Sequence, residues 1–244
     1  MSLPVLNSPT YTARIPSTGK NFDFRPFIVR EQKILLMALE SGDVTNIYHG
    51  LRDIINACIL SDIGDVEKMP LFDLEGIFLA IAAKSTGEIA KVGKKCVHCS
   101  HPNEIEIPLE GVKLKKFEKG NNKIELSEAG VGVLLHYPTL KDALEISLIQ
   151  ENDGGDKKTD EELSFEIIMN TIEAVYEGKT VHTSSDYSRE DLAQFVESFQ
   201  MSHLKKIKEF LVNTPYLSYE GSFECESCKK TNQYEVKGIR DFFF

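Results

Sequence analysis

Two pairs of cysteines constrain this chain more than any other feature: Cys96-Val97-His98-Cys99 and Cys225-Glu226-Ser227-Cys228. Each pair lies between short runs that read as strand, residues 87–92 and 104–109 around the first and residues 219–224 and 231–236 around the second. A strand, a Cys-x-x-Cys turn and a returning strand form a zinc knuckle, and two knuckles make a zinc ribbon. The two-residue spacer lets both sulfurs of a tight turn face one ion, and four thiolates complete a tetrahedral shell at about 2.3 Å. The spacing therefore predicts one structural Zn2+ held by Cys96, Cys99, Cys225 and Cys228. Such a closed shell keeps no open position for water or substrate.

The unusual feature is the gap of 126 positions between Cys99 and Cys225. A shared ion would clip the middle of the chain to its end. Redox Cys-x-x-Cys motifs open a helix, which neither pair does here. Two disulfides are the main rival. Nothing at the N-terminus reads as a secretory signal, so a reducing compartment is expected and metal is favoured over disulfides. His98, inside the first pair, is an alternative ligand that four thiols make unnecessary.

Charge and composition narrow the function classes. In 244 residues, 28 Lys and Arg stand against 38 Asp and Glu, a net charge of −10. That balance argues against a general nucleic-acid binder, which carries a basic stripe. No apolar run approaches the roughly 18 residues of a membrane span. There is no Gly-rich phosphate loop and no His-Glu-x-x-His. Six histidines are scattered (49, 98, 101, 136, 182 and 203), and no Ser or Cys has an activating neighbour. The expectation is a non-enzyme with no small-molecule substrate, no nucleic-acid partner and no membrane.

Hydrophobic periodicity divides the chain into five stretches. Residues 1–28 form an extended arm and a hairpin, with aromatic arms around the turn Ser17-Thr18-Gly19-Lys20. Residues 29–87 form a helical block. Its second helix presents Ile47, Leu51, Ile54, Ile55, Cys58 and Ile59 on one face, and its third presents Leu74, Ile77, Phe78, Ile81 and Ala82. Cys58 thus reads as a buried small hydrophobe. Residues 88–138 hold the first knuckle, a basic loop at 113–122 and a β segment. Residues 139–215 form a second helical block. There Thr159 and Glu162 make a capping box, and Phe165, Ile168, Ile172 and Val175 trace a helix closed by Gly178. The polar run 151–158 reads as an exposed flexible loop. Residues 216–244 hold the second knuckle and a tail. The fold class expected is α+β: mostly helical bundles with small β-hairpins and a split four-cysteine zinc-ribbon-like module.

Aromatic residues at the two ends are candidate partner-binding anchors: Phe22, Phe24 and Phe27 in the hairpin, and Phe242, Phe243 and Phe244 in the tail. The outer faces of the knuckles are a third candidate surface. Packing of the tail into the chain's own core is the competing reading.

The order of several motifs resembles a family of T-even-type phage baseplate proteins. The stretch Phe24-Arg25-Pro26-Phe27-Ile28-Val29-Arg30-Glu31 is similar, as is the first Cys pair following a three-helix block. So are Ile172-Glu173-Ala174-Val175-Tyr176, the segment Leu192-Ala193-Gln194-Phe195-Val196-Glu197-Ser198-Phe199, and Phe210-Leu211 with Pro215. The second Cys pair and the Asp241-Phe242-Phe243 ending complete the likeness, which runs from about Phe24 onward. What it implies is a structural or assembly component of a contractile-tail baseplate hub. Its partners would be other baseplate and hub proteins, and its place the virion tail after assembly in the host cytoplasm. A zinc-ribbon regulator that binds nucleic acid is the alternative, which a basic face and salt-sensitive binding would reveal.

Overall fold

The computed structural model describes residues 6–115, 122–127, 129–152 and 159–243. From the N-terminus, strands β1 (Tyr11–Arg14) and β2 (Asn21–Phe24) precede helices α1 (Val29–Glu40), α2 (Val44–Cys58) and α3 (Leu71–Thr86). Strands β3 (Ile89–Lys95), β4 (Pro102–Pro108), β5 (Lys113–Lys115), β6 (Lys123–Glu125) and β7 (Val131–Leu135) follow. Helices α4 (Leu140–Asn152) and α5 (Asp160–Thr171) lead to strands β8 (Ile172–Glu177) and β9 (Thr180–Thr183). Helices α6 (Arg189–Glu197) and α7 (Met201–Val212) come next, then β10 (Tyr216–Glu224), β11 (Thr231–Lys237) and α8 (Gly238–Phe243). These elements divide into two compact units, Met1–Lys115 with Pro215–Phe244, and Lys116–Thr214. Both cysteine pairs belong to the first unit, and the stretch 88–138 is split between the two.

In the first unit, β1 and β2 pair antiparallel from Tyr11↔Phe24 to Arg14↔Asn21. Gly19, at φ +69°, lets the turn close with its N–H donating to the Ile15 carbonyl at 2.8 Å. The alternation of β2 turns Phe22 and Phe24 inward, where both are fully buried. The chain then runs beside the end of α2: the Arg25 N–H donates to the Cys58 carbonyl and the Leu60 N–H to the Asp23 carbonyl. Leu51, Ile54, Ile55 and Cys58 are buried along α2, and Leu74, Ile77, Phe78 and Ile81 along α3, the faces that their spacing predicts. Asp43 caps α2 by accepting from the Thr45 N–H. Gly76 lets Pro16 of the hairpin approach α3, since a Cβ there would lie 2.3 Å from the proline ring.

A second core in this unit lies under the knuckle strands. β3 and β4 pair in a two-stranded sheet, while β10 pairs with both β11 and β5 in a three-stranded one. Ala90, Val92, Ile105, Ile107, Leu217, Val236 and Phe242 pack together between them. Phe242 is 2% exposed, and Phe22, Phe24 and Phe27 are all buried. The structure therefore places four of the aromatic anchor candidates in the chain's own core, where they hold the hairpin and the tail down. Phe244 and the side chain of Phe243 lie outside the described residues.

The second unit is a four-stranded antiparallel sheet, in the order β6-β7-β8-β9, packed with helices. Its core gathers Ile124, Val133 and Leu135 from the strands, Ile168 and Met169 from α5, Leu192 and Val196 from α6, and Ile207 and Phe210 from α7. Thr159 with Glu162, and Ser188 with Asp191, form capping boxes that open α5 and α6.

The expectation of mostly helical bundles with small hairpins is overturned. Strands form four sheets among the described residues, and two strands of the largest sheet, β8 and β9, sit inside the stretch read as helical. The helix that opens at Thr159 ends at Thr171, and Ile172–Glu177 is strand. Ile172, Ala174 and Tyr176 alternate inward while the chain pairs with β7, Val133 opposite Val175. Gly178, at φ +59°, is the turn of a β-hairpin and not a helix end. The basic loop is likewise partly strand, because Lys113–Lys115 pairs with residues 216–218 of β10. The run 151–158 begins with the last turn of α4, and residues 153–158 and 116–121 lie outside the described residues.

Candidate metal centre

Each cysteine pair occupies the turn of a hairpin, β3–β4 for the first and β10–β11 for the second. The two turns are built alike. The Cys96 N–H donates to the His101 carbonyl and the Ser100 N–H to the Cys96 carbonyl, both at 2.9 Å. In the other knuckle the Cys225 N–H donates to the Lys230 carbonyl at 3.0 Å and the Lys229 N–H to the Cys225 carbonyl at 2.9 Å. The residue after each second cysteine, Ser100 or Lys229, adopts a positive φ of 59° or 56°. These two are the non-glycine residues with positive φ among the described residues, so both turns accept the same backbone cost to point two sulfurs one way.

The four sulfurs converge across the 126-residue gap. All lie within 4.8 Å of one another. Cys96 Sγ is 3.6 Å from Cys228 Sγ, and Cys99 Sγ is 3.6 Å from Cys225 Sγ. A disulfide needs about 2.05 Å, so these cysteines are thiols. A tetrahedron with arms of about 2.3 Å has edges of about 3.8 Å, which these separations match. The residues present fit a tetrahedral ion held by four thiolates. Cys96 and Cys225 are buried, Cys228 is half-buried and Cys99 is exposed. Neither His98 nor His101 joins the cluster.

Electrostatics at the site follow from sulfurs packed closer than like charges tolerate. Burial pushes the Cys96 thiol up, but the N–H groups of His98 and Cys99 and the Asn232 amide outweigh it and hold its pKa at about 6. Cys225 is also lowered, chiefly by the Cys228 N–H. The His101 N–H lowers Cys99, yet desolvation and the three neighbouring sulfurs override it and push it up to about 12. Four such groups do not all ionise together without a cation between them. A divalent ion removes that conflict and brings all four to thiolate.

Two residues at this site escaped the reading of the sequence. Asn103 and Asn232 are 5% and 2% exposed, and each ties one knuckle to the other. Asn232 Oδ1 accepts from the Val97 N–H at 2.9 Å, while its Nδ2 donates to the Lys230 carbonyl of its own turn at 2.9 Å. Asn103 Oδ1 accepts from the Glu226 N–H at 2.9 Å, and its Nδ2 donates to the His101 carbonyl at 2.8 Å. The pattern is reciprocal, as a local twofold relation between the hairpins requires. Its signal was available: both knuckles read Cys-x-x-Cys-x-x-x-Asn.

The family model described as T4 bacteriophage base plate protein matches residues 8–244, nearly the whole chain. The chain belongs to this baseplate protein family. It is accordingly a structural component of the phage tail baseplate, and its partners are other tail proteins. No curated protein and no solved structure matches it. No helix among the described residues of this baseplate protein is long and apolar enough to cross a membrane.

Proposed function

We propose that this baseplate protein is a zinc-stapled adaptor of the tail hub or of its assembly pathway, working through protein–protein contacts and without catalysis. The observation that carries the reading is the convergence of Cys96, Cys99, Cys225 and Cys228 in a chain matched over residues 8–244 by the baseplate family. An all-sulfur tetrahedral set favours Zn2+ among the abundant divalent ions. It also fills the coordination shell, which suits a brace better than a reactive centre. The outer knuckle faces are the contact surface. Val97 is 77% exposed beside exposed His98, and Lys95, Lys229 and Lys230 are exposed around the two turns. Glu224 and Glu226 are exposed beside these lysines, so the tips present an apolar residue among mixed charges, which suits a protein surface.

Two measurements test the proposal. Elemental analysis of purified protein should find about one zinc per chain, and a folded, metal-free protein would sink the staple. Substituting Val97→Asp with Lys229→Glu should abolish co-purification with hub proteins while the zinc content stays unchanged. Retained hub association would remove the knuckle faces from the reading. Salt-sensitive binding of duplex DNA through the same lysines would favour the regulator instead.

A further inference from the structure

Helix α1 carries more apolar surface than its own unit uses. Its inner face holds Glu31 and Ala38, both buried, and Ala38 faces Gly50 of α2 so closely that a Cβ on Gly50 would lie 3.1 Å from the alanine methyl. On the outer side, Val29 is 68% exposed, Leu36 50% and Met37 71%, with Ile28 at 48% just before the helix. Lys33 and Glu40 are exposed on the same side. Residues three, four and seven apart share a helical face, so Lys33, Leu36, Met37 and Glu40 form one stripe. It reads cation, two apolar residues, anion, with the charges about 10 Å apart along the axis. No ion pair or hydrogen bond within the chain involves the Lys33 or Glu40 side chain among the described residues.

A stripe that is positive at one end, apolar in the middle and negative at the other is complementary to itself when reversed. An antiparallel partner helix centred between residues 36 and 37 sets each Lys33 against the other copy's Glu40. Leu36 and Met37 then meet Met37 and Leu36 at the axis. An isologous twofold contact requires this self-complementarity, and a surface built for an unrelated partner has no reason to show it. We propose that the protein self-associates as a twofold dimer through the outer face of α1. One helix pair lies near the lower end of stable interfaces, about 1,000 Å² in total, so the dimer dissociates in the micromolar range.

Sedimentation of the zinc-loaded full-length protein from about 1 to about 200 µM tests this. The wild type should shift from monomer to dimer over that range. Met37→Glu should weaken the dimer at least tenfold, and Glu40→Lys alone should weaken it by opposing Lys33. The double exchange Lys33→Glu with Glu40→Lys should restore association, because the reversed charges still meet across the axis. All these positions are exposed, so circular dichroism and melting temperature should stay close to wild type and report any loss of fold. A monomer at every concentration overturns the proposal. So does a dimer indifferent to Met37→Glu, a double exchange that fails to restore what a single exchange lost, or α1 found occupied by a different tail protein in place of a second copy. Self-association is read on the isolated protein, so its failure leaves the adaptor role and its zinc untouched.

Discussion

Asn103 and Asn232 show how a few buried polar side chains set a metal geometry that four cysteines alone leave loose. Each amide fixes the backbone N–H next to the opposite knuckle's first cysteine, so the two turns are held before any ion arrives. Groups that orient metal ligands typically contribute about 10–100-fold in affinity. Asn232→Ala should weaken zinc binding by that order, measured by competition with a chromogenic chelator, with the four thiols still present. An unchanged affinity would reduce the asparagines to hairpin fasteners. Glu31 plays a comparable part at the start of α1. Burial alone would raise its carboxyl, but hydrogen bonds from Arg25, the Ile28 N–H and Arg30 hold its pKa at about 2. Its folded value lies below the ordinary carboxylate value of about 4.3, so its contribution is complete above that pH and is lost as pH falls toward 2. Glu31→Gln should cost about 3 kcal/mol near neutral pH. The gap from wild type should narrow steadily below about pH 4 in denaturant titrations.

Elements whose partners lie nearby in sequence were legible, and those whose partners lie far away were not. The β1–β2 hairpin, the buried face of α2 and the capping box at Thr159 each follow from residues within one element's length. The cysteine pairs were legible for a different reason, since metal chemistry restricts both residue type and spacing. Strand β8 was misread because Ile168, Ile172 and Val175 keep a helical step that continues α5, while Ile172, Ala174 and Tyr176 also alternate. Local periodicity leaves both options open, and pairing with β7 decides it. Strand β5 is three residues, Lys-Leu-Lys, and becomes a strand only because β10, a hundred residues on, lies beside it. The tail shows the same dependence: its aromatics suit an anchor or a core, and α8 turns Phe242 into the space between the knuckle sheets. Phe242→Ala should therefore destabilise the isolated protein by about 3–4 kcal/mol. A melting temperature unchanged by that substitution would contradict the packing role.

At the level of the whole molecule, the division into units explains the gap between the cysteine pairs. Lys115, the last residue of β5, pairs directly with Tyr216 at the start of β10. Cα atoms paired across antiparallel strands are about 4.5–5.5 Å apart, the span of a tight hairpin turn. In sequence, residues 116–214 are thus an insertion in the loop of a hairpin, and they carry a core of their own around Val133, Leu135, Ile207 and Phe210. Without that insertion 26 residues separate Cys99 from Cys225 in place of 125, and the zinc site closes within one continuous domain. A loop's entropic cost grows only with the logarithm of its length, so a hairpin tolerates so long an excursion. Replacing residues 116–215 by Asn-Gly, which favours the two-residue hairpin turn between Lys115 and Tyr216, should give a protein that folds and binds one zinc per chain through the same four cysteines. Hydrogen exchange of that protein should show the amides of β3, β4, β10 and β11 protected as in the full chain, and chelation should expose them. A shortened protein that stays unfolded with zinc in excess would mean that the two units depend on each other for stability, and that the insertion is part of the fold it interrupts.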